Sequence, residues 1–281
     1  MVIFDGKKLA AEKEKILAKK VAEFKRATGI RPKLVAVMVG ENEASKIYLR
    51  KKSEAAIRVG MEMEIFKLNE AEELIKLIRE KNKDKKTHGI MIQLPMEMQN
   101  SKCKSQNENL KFKILLAIDP LKDVDCLTPE NFGLLAMGKP RFLPATVKAI
   151  MEIIHDSCFM IYASRVVIVG ASNIVGKPLA LCFSNLGATV TICRSKTKNL
   201  EKYTRQADLL ISATGVPKLI KKEMVKKNAV VIDVGSPVGD VDFENVSQIA
   251  SFITPVPGGV GPLTVVCLLE NVFQAAKLKK F

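Results

Sequence analysis

The stretch Val166-Val167-Ile168-Val169-Gly170-Ala171-Ser172-Asn173-Ile174-Val175-Gly176-Lys177-Pro178 reads as a strand, a tight turn and the start of a helix. Gly170, at the strand end, lets the backbone turn sharply. Gly176, at the helix start, lets a phosphate approach free N–H groups where the helix dipole also favours negative charge. The spacing is G-x-x-x-x-x-G, so the ordinary G-x-G-x-x-G dinucleotide fingerprint is not met. Nor is it a P-loop, which needs four intervening residues and Ser or Thr after the Lys; here Pro178 follows Lys177.

Outward from this turn the pattern keeps alternating. Arg165–Val169, 188–193, 207–213, 229–234 and 251–253 read as strands, and 147–154, 176–186 and 263–277 as helices. In a dinucleotide fold the end of the next strand meets the adenosine ribose, where an acid favours NAD and a base accommodates the 2′-phosphate of NADP. That strand ends Cys193-Arg194-Ser195-Lys196-Thr197, with no acid. Arg194 and Ser195 can bond a phosphate, and an ordinary basic surface turn would read the same way.

The N-terminal half alternates as well. Leu34-Val35-Ala36-Val37-Met38-Val39 is a buried-strand run, 43–58 a helix ended by Gly60, 61–68 a strand, 70–81 an amphipathic helix, and 89–95 a strand stopped by Pro95. Residues 97–113 are polar without a period and are expected as an exposed loop or insertion. The expected architecture is α/β in two domains with a cleft between them: a βαβ-type N-terminal domain and a Rossmann-like domain. The boundary is placed near 140–144, giving 1–142 completed by 263–281, and 143–262.

The chain has 281 residues, 47% hydrophobic, which supports a full core. Its apolar runs are too short for a membrane span, and Met1-Val2-Ile3-Phe4-Asp5 lacks the order of a signal peptide, so a cytoplasmic protein is expected. Six Cys without a C-x-x-C pair and only two His argue against a zinc cage, and no metal is expected. The net charge of +15 raises nucleic acid as a partner. The lysines, however, are scattered in short pairs without interleaved aromatics, which fits solvated helix faces.

Ser45, Tyr48 and Lys52 fall on one face of the 43–58 helix. A buried Lys on that face can serve as a base. A half-buried Tyr beside a solvated Lys accounts for the same spacing more simply, since Arg50 and Lys51 adjoin Lys52. Gln93 closes an apolar strand and needs a hydrogen-bond partner, a backbone group or Lys52. Asp123 and Asp125 project to one side of an extended segment and suit either heterocycle N–H groups or turn capping. The segment Pro255-Val256-Pro257-Gly258-Gly259-Val260-Gly261-Pro262 is too rich in Gly and Pro for a plain linker. It fits a loop bringing backbone N–H groups to a ligand, with Pro257 a candidate for a cis bond.

Taken together, Ser45-x-x-Tyr48-x-x-x-Lys52, Gly89 to Pro95, Lys122-Asp123-Val124-Asp125, Gly170 to Pro178 and Ile253 to Thr264 resemble the methylenetetrahydrofolate dehydrogenase/cyclohydrolases over nearly the whole chain. The resemblance implies NADP-dependent oxidation of 5,10-methylenetetrahydrofolate and hydrolysis of the methenyl product to 10-formyltetrahydrofolate, in one-carbon metabolism and purine biosynthesis. It implies Lys52 as the catalytic lysine, Tyr48 stacked on the folate, Gln93 tuning Lys52, and Asp125 on the pterin with Asp123 in support. Ser45, Leu94, Pro95, Pro257, Gly258, Gly259, Gly261, Pro262 and Thr264 would complete the folate site. Gly170, Ala171, Ser172, Ile174, Val175, Arg194, Ser195 and Ser236 would hold NADP, in a homodimer paired through the cofactor domain.

Four departures from the family pattern stand out. Cys126 replaces the Gly after the Asp pair, and Pro144-Ala145-Thr146-Val147-Lys148-Ala149 replaces Pro-Cys-Thr-Pro-x-Gly. The loop after Gly235 is short, and 96–118 is long. A dehydrogenase without efficient cyclohydrolase activity, a basic nucleic-acid-binding protein and an inactive ligand sensor are the rival readings.

Overall fold

Every strand pairing among the described residues is parallel. The computed structural model describes residues 1–96 and 104–278. In chain order the strands are β1 (Val2–Ile3), β2 (Lys33–Val39), β3 (Glu62–Leu68), β4 (Gly89–Gln93), β5 (Arg165–Val169), β6 (Thr189–Cys193), β7 (Leu209–Ser212), β8 (Val230–Asp233) and β9 (Phe252–Ile253). The helices are α1 (Gly6–Thr28), α2 (Glu43–Arg58), α3 (Ala71–Lys83), α4 (Lys104–Ala117), α5 (Pro129–Ala136), α6 (Ala145–Asp156), α7 (Gly176–Asn185), α8 (Leu200–Thr204), α9 (Phe243–Val246) and α10 (Val260–Leu278). Among the described residues no helix is long and apolar enough to cross a membrane.

The chain divides into two units, Glu12–Gly133 with Leu268–Phe281, and Met1–Ala11 with Leu134–Cys267. The first is built on the three-stranded sheet β3-β2-β4. β2 is central and buried on both faces, which is why its sequence is an unbroken apolar run rather than an alternation. Its odd residues Val35, Val37 and Val39 join Ile90 and Ile92 of β4 in a core closed by Leu74 and Ile78 of α3 and Ile114 of α4. The register Ala36↔Met91 and Met38↔Gln93 places Met91 and Gln93 on the opposite face.

The loop expected over 97–113 is corrected from Lys104 onward, where the chain is helical; 97–103 lie outside the described residues. Ile114 and Ile118 are buried and Leu110 packs beside them, an i, i+4, i+8 stripe that seats α4 on the core. The polar first half of the helix hid that stripe.

The second unit carries a six-stranded sheet in the order β1-β9-β8-β7-β5-β6. The first residues of the chain belong here. Val2 and Ile3 pair with Phe252 and Ile253, and Phe4 packs on Phe252 with ring centroids 5.7 Å apart. The altered segment after Pro144 forms the first turn of α6, with Ala145, Val147 and Ala149 buried. α10 begins at Val260, three residues before the expected start, and so takes in Gly261 and Pro262. Pro is tolerated there because a first-turn N–H has no intrahelical partner.

If α4 is core, Ile114→Ala should cost about 2–4 kcal/mol of unfolding free energy, and Phe112→Ala, at an exposed position of the same helix, less than about 0.5 kcal/mol. Urea titration of both variants checks the pair; equal effects would contradict the stripe.

Candidate active site

Ser45, Leu49, Ala56 and Val59 are all buried, and Lys52 falls on the stripe they make along α2. Asn42 caps this helix, its Oδ1 accepting from the Ser45 N–H at 2.9 Å. The basic run on α2 separates cleanly. Arg50 pairs with Glu54 in solvent, and Lys51 lies over the Tyr48 ring at 5.9 Å. Lys52 turns inward instead. Its Nζ donates to Gln93 Oε1 at 3.0 Å and to Met91 Sδ at 3.2 Å. The solvated-lysine reading of Lys52 is thereby corrected.

Gln93 gains both its partners, since Nε2 donates to the Leu94 carbonyl at 2.9 Å while Oε1 receives Lys52. Desolvation holds the Lys52 amine below the ordinary lysine range, with the charge of Asp125 opposing that shift. Asp125 is perturbed the other way. Burial raises its carboxyl to about 6; nearby Lys52 lowers it and Asp123 adds to the rise. A lowered amine and a raised carboxyl in one place are the pairing that acid–base chemistry uses.

Asp123 sits differently from its neighbour. It is 1% exposed, and its oxygens accept from Leu127 N, Thr128 N, Thr128 Oγ1 and Asn131 Nδ2 at 2.7–3.0 Å. Its oxygens hold the turn before α5 that carries Asp125. Lys122 anchors the other side. Its buried Nζ donates to the carbonyls of Lys81, Asn82 and Asp84 at the end of α3, at 2.6–2.8 Å. Cys126 has φ +56, the left-handed conformation that a Gly adopts without strain. The turn thus keeps a glycine-like backbone with a thiol on it.

The second unit carries the glycine turn. Gly170 has φ +122, and a Cβ there would meet the Ala213 carbonyl oxygen at 2.3 Å. A Cβ on Gly176 would meet the Gly170 carbonyl oxygen at 1.9 Å. Gly176 is therefore required by the close approach of turn to helix. Ser172 Oγ accepts from Val175 N at 3.1 Å and closes the turn, with Ala171 half-buried and Ile174 exposed along it. Arg194 and Ser195 stand exposed just past β6, in a turn tied by Arg194 N to Thr197 Oγ1 at 2.9 Å.

Two buried carboxylates that the sequence did not single out brace this edge. Asp240 Oδ2 accepts from Ser212 Oγ, Thr214 N and Thr214 Oγ1 at 2.6–2.9 Å. Asp233 accepts from Gly235 N, Asp240 N and Val241 N at 2.8–3.0 Å, and burial raises its pKa. The short loop after Gly235, with Ser236 exposed on it, is closed by this pair. A buried Asp in Val-Ile-Asp-Val was the available signal, because such a group must be bonded.

The Gly- and Pro-rich segment is also in the second unit. The Val256–Pro257 bond is cis, and Pro257 and Gly261 are exposed. A Cβ on Gly259 would meet the Pro255 carbonyl oxygen at 2.6 Å, and one on Gly6 the Gly259 carbonyl oxygen at 1.9 Å. Thr264 Oγ1 bonds back to the Val260 carbonyl at 3.2 Å, so its hydroxyl proton is used within α10. The sequence-expected folate residues thus divide: Ser45, Tyr48, Lys52, Gln93, Leu94, Pro95, Asp123 and Asp125 lie in one unit, and 257–264 in the other. Among the described residues no group of three or more His, Cys, Asp or Glu is placed to hold a metal ion.

The raised pKa of Asp125 has a consequence for stability. From the ordinary carboxyl value up to about 6, the folded chain keeps a proton that the unfolded chain has released. Stability contributed by this group therefore falls as pH rises through that window. Asp125→Asn removes the effect, so its urea midpoint should gain on wild type between about pH 4 and about pH 7. Parallel curves for the two proteins would show that Asp125 is not desolvated as described.

Residues 4–125 match the family described as "Tetrahydrofolate dehydrogenase/cyclohydrolase, catalytic domain", and residues 144–280 its "NAD(P)-binding domain". The chain is 46% identical to "Bifunctional protein FolD" of Streptococcus equi subsp. equi, over 98% of this chain and 97% of that one. It is 45% identical to the protein of the same name from Exiguobacterium sibiricum, over 98% and 99%. A bifunctional FolD methylenetetrahydrofolate dehydrogenase/cyclohydrolase from Campylobacter jejuni superposes with a TM-score of 0.92 at 41% identity, covering all of both chains. The Trypanosoma brucei enzyme, solved with NADP and an inhibitor, gives 0.91 at 35%, covering 99% of this chain and 97% of that one. With the glycine turn and the Lys52–Gln93–Asp125 group in place, the chain belongs to the tetrahydrofolate dehydrogenase/cyclohydrolase family.

Proposed function

We propose that the chain oxidises 5,10-methylenetetrahydrofolate to the methenyl form with NADP⁺ and hydrolyses that product to 10-formyltetrahydrofolate. The observation that carries this reading is the Lys52 amine, desolvated on α2 and held at 3.0 Å by Gln93 Oε1 beside the perturbed Asp125. A dehydrogenase alone needs no such base.

The second unit suits a 2′-phosphorylated dinucleotide. The turn at Gly170 excludes any side chain, leaving Ala171 to Val175 to wrap the pyrophosphate. Arg194 and Ser195 would take the 2′-phosphate, since no acid competes at that strand end. Ser236 would lie near the bound cofactor. NADP⁺ held there would supply the hydride acceptor. This chain's own part in that step is orientation, because the nitrogens flanking the methylene carbon already stabilise the cation that forms.

Hydrolysis falls to Lys52. A water adding to the methenyl carbon must lose a proton, and the Lys52 amine, which desolvation holds below the ordinary lysine range, would take it. Asp125 would accept the N–H groups of the pterin, which compensate its desolvation on binding. Tyr48 would stack on the folate ring.

Lys52→Ala should lower methenyl hydrolysis by about 10²–10⁴-fold while hydride transfer falls far less, so that methenyl product accumulates in a spectrophotometric assay with NADP⁺. Hydrolysis that survives the substitution refutes the role. Arg194→Ala should weaken NADP⁺ binding at least about tenfold more than NAD⁺ binding; equal losses exclude it as the reader of the 2′-phosphate.

The same reading makes the protein a cytosolic homodimer. β6 is an edge strand with Ile192 39% exposed, which suits pairing through the cofactor unit.

A further inference from the structure

Met91 lies one turn of the pleat before Gln93, on the same face of β4. Both side chains reach the same atom, Lys52 Nζ, at 3.2 Å from sulfur and 3.0 Å from oxygen. Both are acceptors only in this geometry. A thioether has no proton to give, and the Gln93 amide nitrogen is committed to the Leu94 carbonyl.

A neutral lysine amine has two N–H donors and one lone pair. When two fixed acceptors take both donors, the lone pair has one direction left. We infer that Met91 is a positioning residue which, with Gln93, consumes the two N–H groups of Lys52 and so aims its lone pair away from β4, at the water to be deprotonated. This rests on Lys52 being the base of the hydrolysis step. Without the sulfur, one N–H is unbound, the amine can rotate, and the lone pair samples directions where no water waits. The step itself is a simple transfer: the amine takes the proton of the attacking water, whose oxygen forms the bond to the methenyl carbon as the C=N π pair returns to nitrogen.

Packing and hydrogen bonding at Met91 make opposite predictions for two substitutions. Leu keeps the volume of Met and removes the acceptor; Gln keeps an acceptor at similar reach and puts an amide in a site that is 1% exposed. If Met91 acts through Lys52, Met91→Leu lowers the ratio of cyclohydrolase to dehydrogenase turnover about three- to tenfold, the range for one lost hydrogen bond. The loss appears in kcat with KM nearly unchanged, and the acid limb of the kcat–pH profile moves to lower pH, because the ammonium form has lost an acceptor. Met91→Gln restores the ratio to within about twofold of wild type. A Leu variant with the wild-type ratio and pH profile, or a Gln variant more impaired than Leu, overturns the inference. Lys52→Ala assayed alongside separates the two levels: loss of hydrolysis there with a wild-type ratio in Met91→Leu rejects Met91 alone, whereas retained hydrolysis in Lys52→Ala rejects the base itself.

Discussion

Both sheets are parallel throughout, and that single constraint locates the chemistry. In a parallel sheet every strand delivers its carboxyl end to the same edge, where the crossover to the next helix begins. In the first unit that edge carries the turn into α2 after β2, and Gln93 at the end of β4. In the second it carries Gly170 after β5, Arg194 after β6, Thr214 after β7 and Gly235 after β8. Apart from Asp123 and Asp125, which sit on the turn before α5, each candidate residue is within a few positions of a strand end or on the helix that follows one.

Placing polar groups at such an edge means burying some of them, and the structure meets this cost with dedicated partners. Lys122 is 1% exposed and its ammonium is capped by three carbonyls at the end of α3. Asp123 takes four donors from Leu127, Thr128 and Asn131. Asp233 and Asp240 divide six donors between them across β7, β8 and the short loop that follows. Removing any one would leave its partners buried and unbonded, at about 1–3 kcal/mol each. Against this background Lys52 and Asp125 stand apart. Desolvation moves the Lys52 amine down and the Asp125 carboxyl up, and each acts on the other through its charge. Asp233 is raised by burial as well, but three backbone N–H groups hold its charge, so its part is to brace the fold.

The departures from the family pattern are absorbed locally. Cys126 adopts a positive φ in the turn carrying Asp125, at a backbone cost of about 1–2 kcal/mol. The segment after Pro144 becomes a helical turn with its small residues buried. The loop after Gly235 is closed by the Asp233 and Asp240 carboxylates rather than by added length.

Much of the fold was legible because parallel strands buried on both faces, such as Leu34–Val39 and Val166–Val169, leave unbroken apolar runs, and because glycine at a strand end has a steric reason to be there. α4 was missed where its stripe began behind a polar stretch, and the pairing of β1 with β9 could not be read from two residues. The sequence alone determined the glycine turn, the absence of an acid near Arg194 and the alternation that makes parallel sheets. Only the tertiary structure decided between a surface lysine and a base at position 52. Spacing shows that Lys52 shares a helix face with Ser45, whereas its protonation depends on water being excluded and on Gln93 and Met91 arriving from a strand about forty residues away. Desolvation and long-range hydrogen bonding are properties of packing, and no local pattern encodes them.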